Sequence, residues 1–157
     1  MAVVAEELYS LLVPLGQDRL IVPRNCIAEV IRFTASPVDE PHAPWLYGMT
    51  HWSDQDIPVI SFETMCGYKA PEPSGRTRVV VFRPLGGAPG CPPYGILSEG
   101  FPHMVKLNRE VVILDQSYHV PDDVPLVCQI IMIKEHALIP DLEAVEVKIV
   151  AELGINP

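Results

Sequence analysis

His51, Ser53 and Asp54 bring the residue types of a hydrolytic triad into one short stretch of chain, so they are the first candidates for chemistry. In such a relay the histidine takes a proton from the serine, and the carboxylate orients the imidazole. Near-consecutive residues in a single turn cannot easily align acid, base and nucleophile, and a solvated turn accounts for the same residues. The adjacent carboxylates Glu6-Glu7 and Asp122-Asp123 have the composition of a general acid and base, yet neighbouring carboxylates ordinarily occupy exposed turns or termini. No Gly-x-Ser-x-Gly elbow occurs, and Gly86-Gly87-Ala88-Pro89-Gly90 has neither the lysine nor the spacing of a phosphate-binding loop.

Metal and thiol chemistry find no better footing. His42, His51, His103, His119 and His136 contain no i,i+4 pair and no His-x-His, so any metal cluster would have to be assembled by folding. Cys26, Cys66, Cys91 and Cys128 form no Cys-x-x-Cys pair, and a chain of this length does not depend on disulfides. They read as reduced, mostly buried thiols. The residues therefore ask for no catalysis, no metal and no cofactor.

The balance of 11 Lys and Arg against 20 Asp and Glu gives a net charge of −9, which repels phosphate backbones and anionic lipid. Nucleic acid is excluded as an expected partner. The longest apolar runs, such as residues 126–133 with Gln129 inside them, fall far short of the ~20 residues a membrane helix requires. With Glu6 and Glu7 where a secretory leader would be basic, the expected location is cytoplasmic. A hydrophobic fraction of 48% and 157 residues promise one domain with a substantial core.

The elements that must carry these residues are mostly strands. Seventeen prolines and ten glycines interrupt the chain too often for long helices. Residues 8–15 and 20–23 flank the turn Gly16-Gln17-Asp18-Arg19, a first hairpin. Asn25 either caps a short helical turn or belongs to a third strand reaching Phe33; a turn leading into a strand is the favoured reading. Residues 34–44 are a loop. Residues 45–62 then read as strand, polar turn Ser53-Asp54-Gln55-Asp56, and strand. Residues 63–67 suit one helical turn, and 70–75 form a Pro/Glu/Ser/Gly linker, placed as the midpoint of the chain.

Beyond that midpoint, residues 77–82 and 94–97 are strands joined by a long Gly/Pro loop, and 101–107 and 111–114 are two more. A closing pair, 126–134 and 136–139, flanks a turn at Glu135, and a short helix spans 140–149 with Pro140 in its first turn. Ten or so strands in two similar groups predict an all-β fold of two small closed five-stranded barrels packed together, with a short C-terminal helix. One domain over residues 1–157 is expected, with subdomains of roughly 8–75 and 76–150. Trp45 and Trp52 bracket the central hairpin, where aromatic rings either close a small barrel or anchor a partner.

Taken together, these segments resemble the CheW-like coupling proteins of bacterial chemosensory systems over residues 8–145. The first hairpin, residues 12–23, resembles the family's opening strands, and Ile27-Ala28-Glu29-Val30-Ile31 its Val-x-Glu-Ile-like segment. Tyr47-Gly48-Met49-Thr50 and Ile57-Pro58-Val59-Ile60-Ser61-Phe62 resemble the two strands of its hallmark. Val79-Val80-Val81, the segment from Tyr94 to Phe101, and Leu138-Ile139-Pro140-Asp141-Leu142-Glu143 resemble elements of its second half.

The resemblance implies a noncatalytic scaffold that links chemoreceptor signalling tips to the regulatory domain of a CheA-like histidine kinase, near membrane receptor arrays and without inserting into the bilayer. It also implies that Ile27, Glu29, Val30, Val79, Val80, Gly95 and Glu99 meet kinase or receptor. For Ile27, Val30, Val79 and Val80, barrel core is the competing assignment. Where the family usually has Asn-Leu-Arg-Gly, this chain has His51-Trp52-Ser53-Asp54 with one additional residue before Pro58. A lengthened turn, a missing arginine and a Glu29 without its cationic partner follow. These departures point to a divergent or accessory member, one serving pilus-based or surface motility. The alternatives are a small β-barrel binding protein or hydrolase using His51, Ser53 and Asp54, and a self-associating structural module.

Overall fold

The computed structural model describes residues 8–132 and 135–155. Glu6, Glu7, Ile133 and Lys134, invoked above in an acidic pair and in a closing strand, lie outside them. Within the described residues the chain forms eleven strands: β1 (Leu8–Pro14), β2 (Arg19–Pro23), β3 (Ile27–Arg32), β4 (Leu46–Trp52), β5 (Gln55–Ile60), β6 (Arg78–Phe82), β7 (Tyr94–Ser98), β8 (His103–Leu107), β9 (Val112–Leu114), β10 (Leu126–Met132) and β11 (Glu135–Pro140). Two short helical pieces, a 3-10 turn at Arg24–Cys26 and α1 (Phe62–Met65), and one longer helix, α2 (Leu142–Leu153), complete it. No helix among the described residues is long and apolar enough to cross a membrane.

Local chemistry explains most boundaries. The Ser61 hydroxyl accepts from the Thr64 N–H at 3.2 Å and starts α1. Asp141 does the same for α2, accepting from Ala144 N at 3.1 Å, and Gly154 ends that helix at φ +66°. Pro140 is thus not in the first helical turn, as its position suggested. It ends β11 opposite Leu126, because the cap needs an acceptor side chain and Asp141 supplies it. Glu135 likewise begins β11, opposite Met132, instead of forming the turn.

The strands form two mixed sheets. One has the order β8-β1-β2-β11-β10-β9, the other β3-β6-β7-β5-β4. The first therefore has six strands where five were expected. The sheets also do not divide the chain near residue 75. The five-stranded sheet is one contiguous segment, β3 to β7, and the six-stranded sheet joins the first two strands to the last four. Parallel contact between β2 and β11, Leu20 opposite Leu138, draws the two ends of the chain together. The linker at 70–75 is consequently a crossover within one sheet.

The five-stranded sheet closes on itself. Just past β3, Ser36 exchanges backbone hydrogen bonds with Met49 of β4, at 2.8 and 2.9 Å, and the Thr34 and Thr50 hydroxyls lie 2.9 Å apart. Gly48 permits that approach, since a Cβ there would lie 2.6 Å from the Ser36 carbonyl oxygen. The six-stranded sheet curls without such a seam. Val105 and Leu107 of edge strand β8 and Val112 of the opposite edge β9 pack on one cluster formed by Leu12, Ile21, Ile130, Met132 and Ala137.

Each curled sheet thus holds its own core, and a third, larger cluster lies between them. Val79 and Val81 point into the closed barrel with Ile57 and Val59. Val80 and Phe82 point the other way, toward Val13, Val22, Ile60, Val145 and Ile149. Burial on both faces is why the Val79-Val80-Val81 run is unbroken instead of alternating with polar residues. α2 sits against this central cluster through Leu142, Val145 and Ile149.

Candidate partner-binding site

Edge strand β3 carries three of the residues singled out from sequence, and its neighbour β6 carries two. A bulge between Ile27 and Glu29 shifts the β3–β6 register, so that Ile27 faces Phe82 and Glu29 faces Val81. Glu29 is exposed, while Ile27 and Val30 are half-buried against the central cluster. Arg83 holds the strand entry: its guanidinium donates to the Ile27 carbonyl at 2.6 Å and its backbone N–H to Cys26 O at 2.8 Å.

Glu29 has no cationic partner among the described residues, but it is not alone. The Trp52 indole N–H donates to its carboxylate at 2.7 Å, and the Trp52 ring packs with Ala28, Ile31 and Phe33 beside the barrel core. A neutral donor thus meets Glu29, and it ties the end of β4 to β3 across the barrel seam. Trp45 packs against the central cluster, so both tryptophans serve as packing residues.

The remaining expected contact residues fall elsewhere. Val79 and Val80 have 0% exposure, so neither can meet a partner on this surface; their shared strand is enclosed on both faces and both edges. Gly95 is also buried, and a Cβ there would sit 2.3 Å from Val79 Cγ1, so its glycine keeps β7 against β6. Glu99 is half-buried beyond β7, with its N–H donating to Pro14 O at 2.8 Å between the two sheets. The seven residues therefore separate into an accessible group on β3, a buried group on β6 and β7, and Glu99 at the sheet junction.

The central turn does not build a triad. It is a two-residue loop, with Ser53 at φ +49° and Asp54 at φ +62°, the positive φ values that a tight hairpin turn demands. Gln55 and Asp56 belong to β5, which corrects the expected four-residue, lengthened turn. His51 Nδ1 lies 3.1 Å from Asp56 Oδ1, its cross-strand neighbour, with side chains 69% and 73% exposed. Among the described residues no hydrogen bond joins Ser53 to His51, so the histidine has no nucleophile to activate. All four thiols are free, Cys26 buried and the others half-buried. Burial, with a smaller contribution from Asp18 at Cys66 and from Glu146 at Cys91, pushes those two thiols up to about 11. They stay protonated at neutral pH and are poor nucleophiles.

Sequence reasoning missed Glu146. This residue of α2 is fully buried, and its carboxylate accepts from Leu85 N at 2.9 and 3.0 Å and from Gly86 N at 3.1 Å. The Gly/Pro loop read as flexible is thereby fastened to the helix. The available signal was spacing: Glu146 falls four residues after Leu142 and three before Ile149, within the buried stripe.

The model of the CheW-like domain family matches residues 10–146. The chain belongs to the CheW-like domain family. Its fold agrees with that of a solved CheW-like protein, the scaffolding protein TtCheW from Thermoanaerobacter tengcongensis, with a TM-score of 0.72 at 12% identity over 90% of this chain and 89% of that one. Comparison with curated proteins yields no match. The CheW-like assignment accounts for two packed β-rich units and a C-terminal helix.

Proposed function

We propose that this CheW-like chain is a noncatalytic coupling scaffold that joins a chemoreceptor cytoplasmic tip to the regulatory domain of a CheA-like histidine kinase. The observation that carries the reading is the β3 edge: Ile27, Glu29 and Val30 present a mixed apolar and acidic strip on a closed barrel, and Trp52 holds the acidic member in place. The family's known scaffolding member supports the same role. A rigid body with such strips transmits receptor state to kinase state by contacting the two states unequally. Service in a pathway for pilus-based or surface motility, at membrane receptor arrays in the cytoplasm, belongs to the same proposal.

Titration of the purified chain with a kinase regulatory domain, and separately with a receptor tip, tests it. Binding of either one, weakened by Glu29→Lys in a variant with an unchanged circular dichroism spectrum, is the expected result. Undiminished binding by that folded variant removes the β3 edge from the interface, and failure of both partners to bind removes the coupling role.

A further inference from the structure

On a chain of net charge −9, one surface collects cations. Two adjoining clefts share Gly75 and Arg78 as a common wall; Arg32 lines one, and Arg76, His103 and the exposed Phe101 line the other. Three of the 11 Lys and Arg residues thus meet here. Glu99 contributes a carboxylate to the second cleft, yet no ion pair joins it to these arginines among the described residues.

The arrangement is costly for the chain on its own. Arg32 and Arg78 stand directly opposite one another on β3 and β6, where like charges destabilise the pairing. Arg78 is held by two hydrogen bonds from Nη1, to Gly75 O at 2.9 Å and Thr77 O at 3.0 Å, and its guanidinium lies 4.9 Å from the Phe101 ring centre. Its other guanidinium nitrogens make no hydrogen bond among the described residues. The Arg32 and Arg76 side chains make none either. One anchored guanidinium with free N–H groups, two more without carboxylate partners among the described residues, and an exposed aromatic ring suit carboxylates attached to an apolar chain.

We propose that these clefts bind an acidic peptide segment of a partner protein, with its carboxylates on Arg32, Arg76 and Arg78 and an apolar side chain on Phe101. The cations are spread along two clefts instead of converging on one point, which suits an extended ligand over a compact anion such as phosphate. Glu99 in the same cleft disfavours a carboxylate placed beside it and so limits the acidic run. The face adjoins the coupling strip, since Arg32 shares β3 with Glu29, but it does not include the Glu29–Trp52 contact, and peptide binding is read with neither kinase nor receptor present.

Fluorescence anisotropy with a labelled peptide of alternating Glu and Leu residues, at low and high salt, tests the proposal with the full chain. Saturable binding that weakens steeply with salt is expected, and it should fall about tenfold in Arg76→Gln, which removes one charge-assisted contact. Arg32→Gln should weaken binding similarly while melting no lower than the parent, because it removes a like-charge neighbour. Peptide binding unchanged in both variants overturns the proposal. So does tighter binding of inorganic phosphate, an oligouridylate or anionic vesicles than of the peptide. A lower melting temperature in Arg32→Gln would show that the cation pair serves the fold and would equally overturn it.

Discussion

β3 and β6 run side by side in one barrel, paired from Ile27 opposite Phe82 to Arg32 opposite Arg78, yet beyond Arg78 at its start β6 offers a partner nothing to reach. β6 is hydrogen-bonded on both edges and packed on both faces, with Val79, Val80, Val81 and Phe82 all at 0% exposure. β3 lies at the barrel seam, bulged and half-covered, and it exposes Glu29 and Arg32. Adjacency within a sheet therefore says little about access. What decides access is whether a second layer covers the outer face, and here the six-stranded sheet and α2 cover β6.

The largest effect should come from a charge placed on β6. Val80→Asp buries an unpaired carboxylate in the central cluster and should cost about 4 kcal/mol or more, enough to unfold a marginal domain. Urea denaturation measures it, and a cooperative transition close to that of the parent would mean that β6 is far more accessible than its burial implies. Gly95→Ala probes the same enclosure from β7. Its Cβ would drive into Val79 Cγ1, and the expected loss is about 1–3 kcal/mol in the same assay.

Changes on β3 should register in binding before stability. Glu29→Lys should leave the melting curve within a few degrees of the parent while reducing kinase-domain or receptor-tip affinity about tenfold or more, as reversal of a contacting charge does. Trp52→Phe keeps an aromatic ring but deletes the indole N–H and part of the packed surface, so it should cost about 1–2 kcal/mol. Glu29→Gln leaves the indole and its packing in place and removes only the acceptor's charge, so an equal loss there would point to the hydrogen bond, and no loss there to the ring packing. Smallest of all, Asp54→Gly should stabilise the hairpin by about 0.5 kcal/mol, since glycine meets a positive φ without a Cβ penalty.

Much of this fold is legible along the chain. Ser53-Asp54 at a hairpin tip and a helix after Pro140 follow from residues acting on their near neighbours, though the helix starts at Leu142 and runs to Leu153, past the expected end at 149. The site is less legible, and the reasons differ by residue. Val79 and Val80 are adjacent apolar residues that would look alike in a core or at an interface, because an unbroken run has no polar face to mark the outside. Glu29 seemed unpaired because the expected partner was a cation, whereas the indole N–H of Trp52 does the work as a neutral donor. Glu146 reads as an ordinary helix carboxylate until the loop at Leu85 and Gly86 folds over it.

Alone, the sequence determined most of the strand order, the presence of a C-terminal helix, the net negative charge and the resemblance that family matching bears out. These depend on interactions within a few residues or on composition. Only the tertiary structure decided that the first and last strands share a sheet, that the chain midpoint is a crossover inside one barrel, and that β3 is reachable while Val79 to Phe82 of β6 are not. Each of those outcomes rests on contacts between segments well separated along the chain, Leu20 with Leu138, Ser36 with Met49 of the next strand, and Glu29 with Trp52, for which local periodicity carries no information.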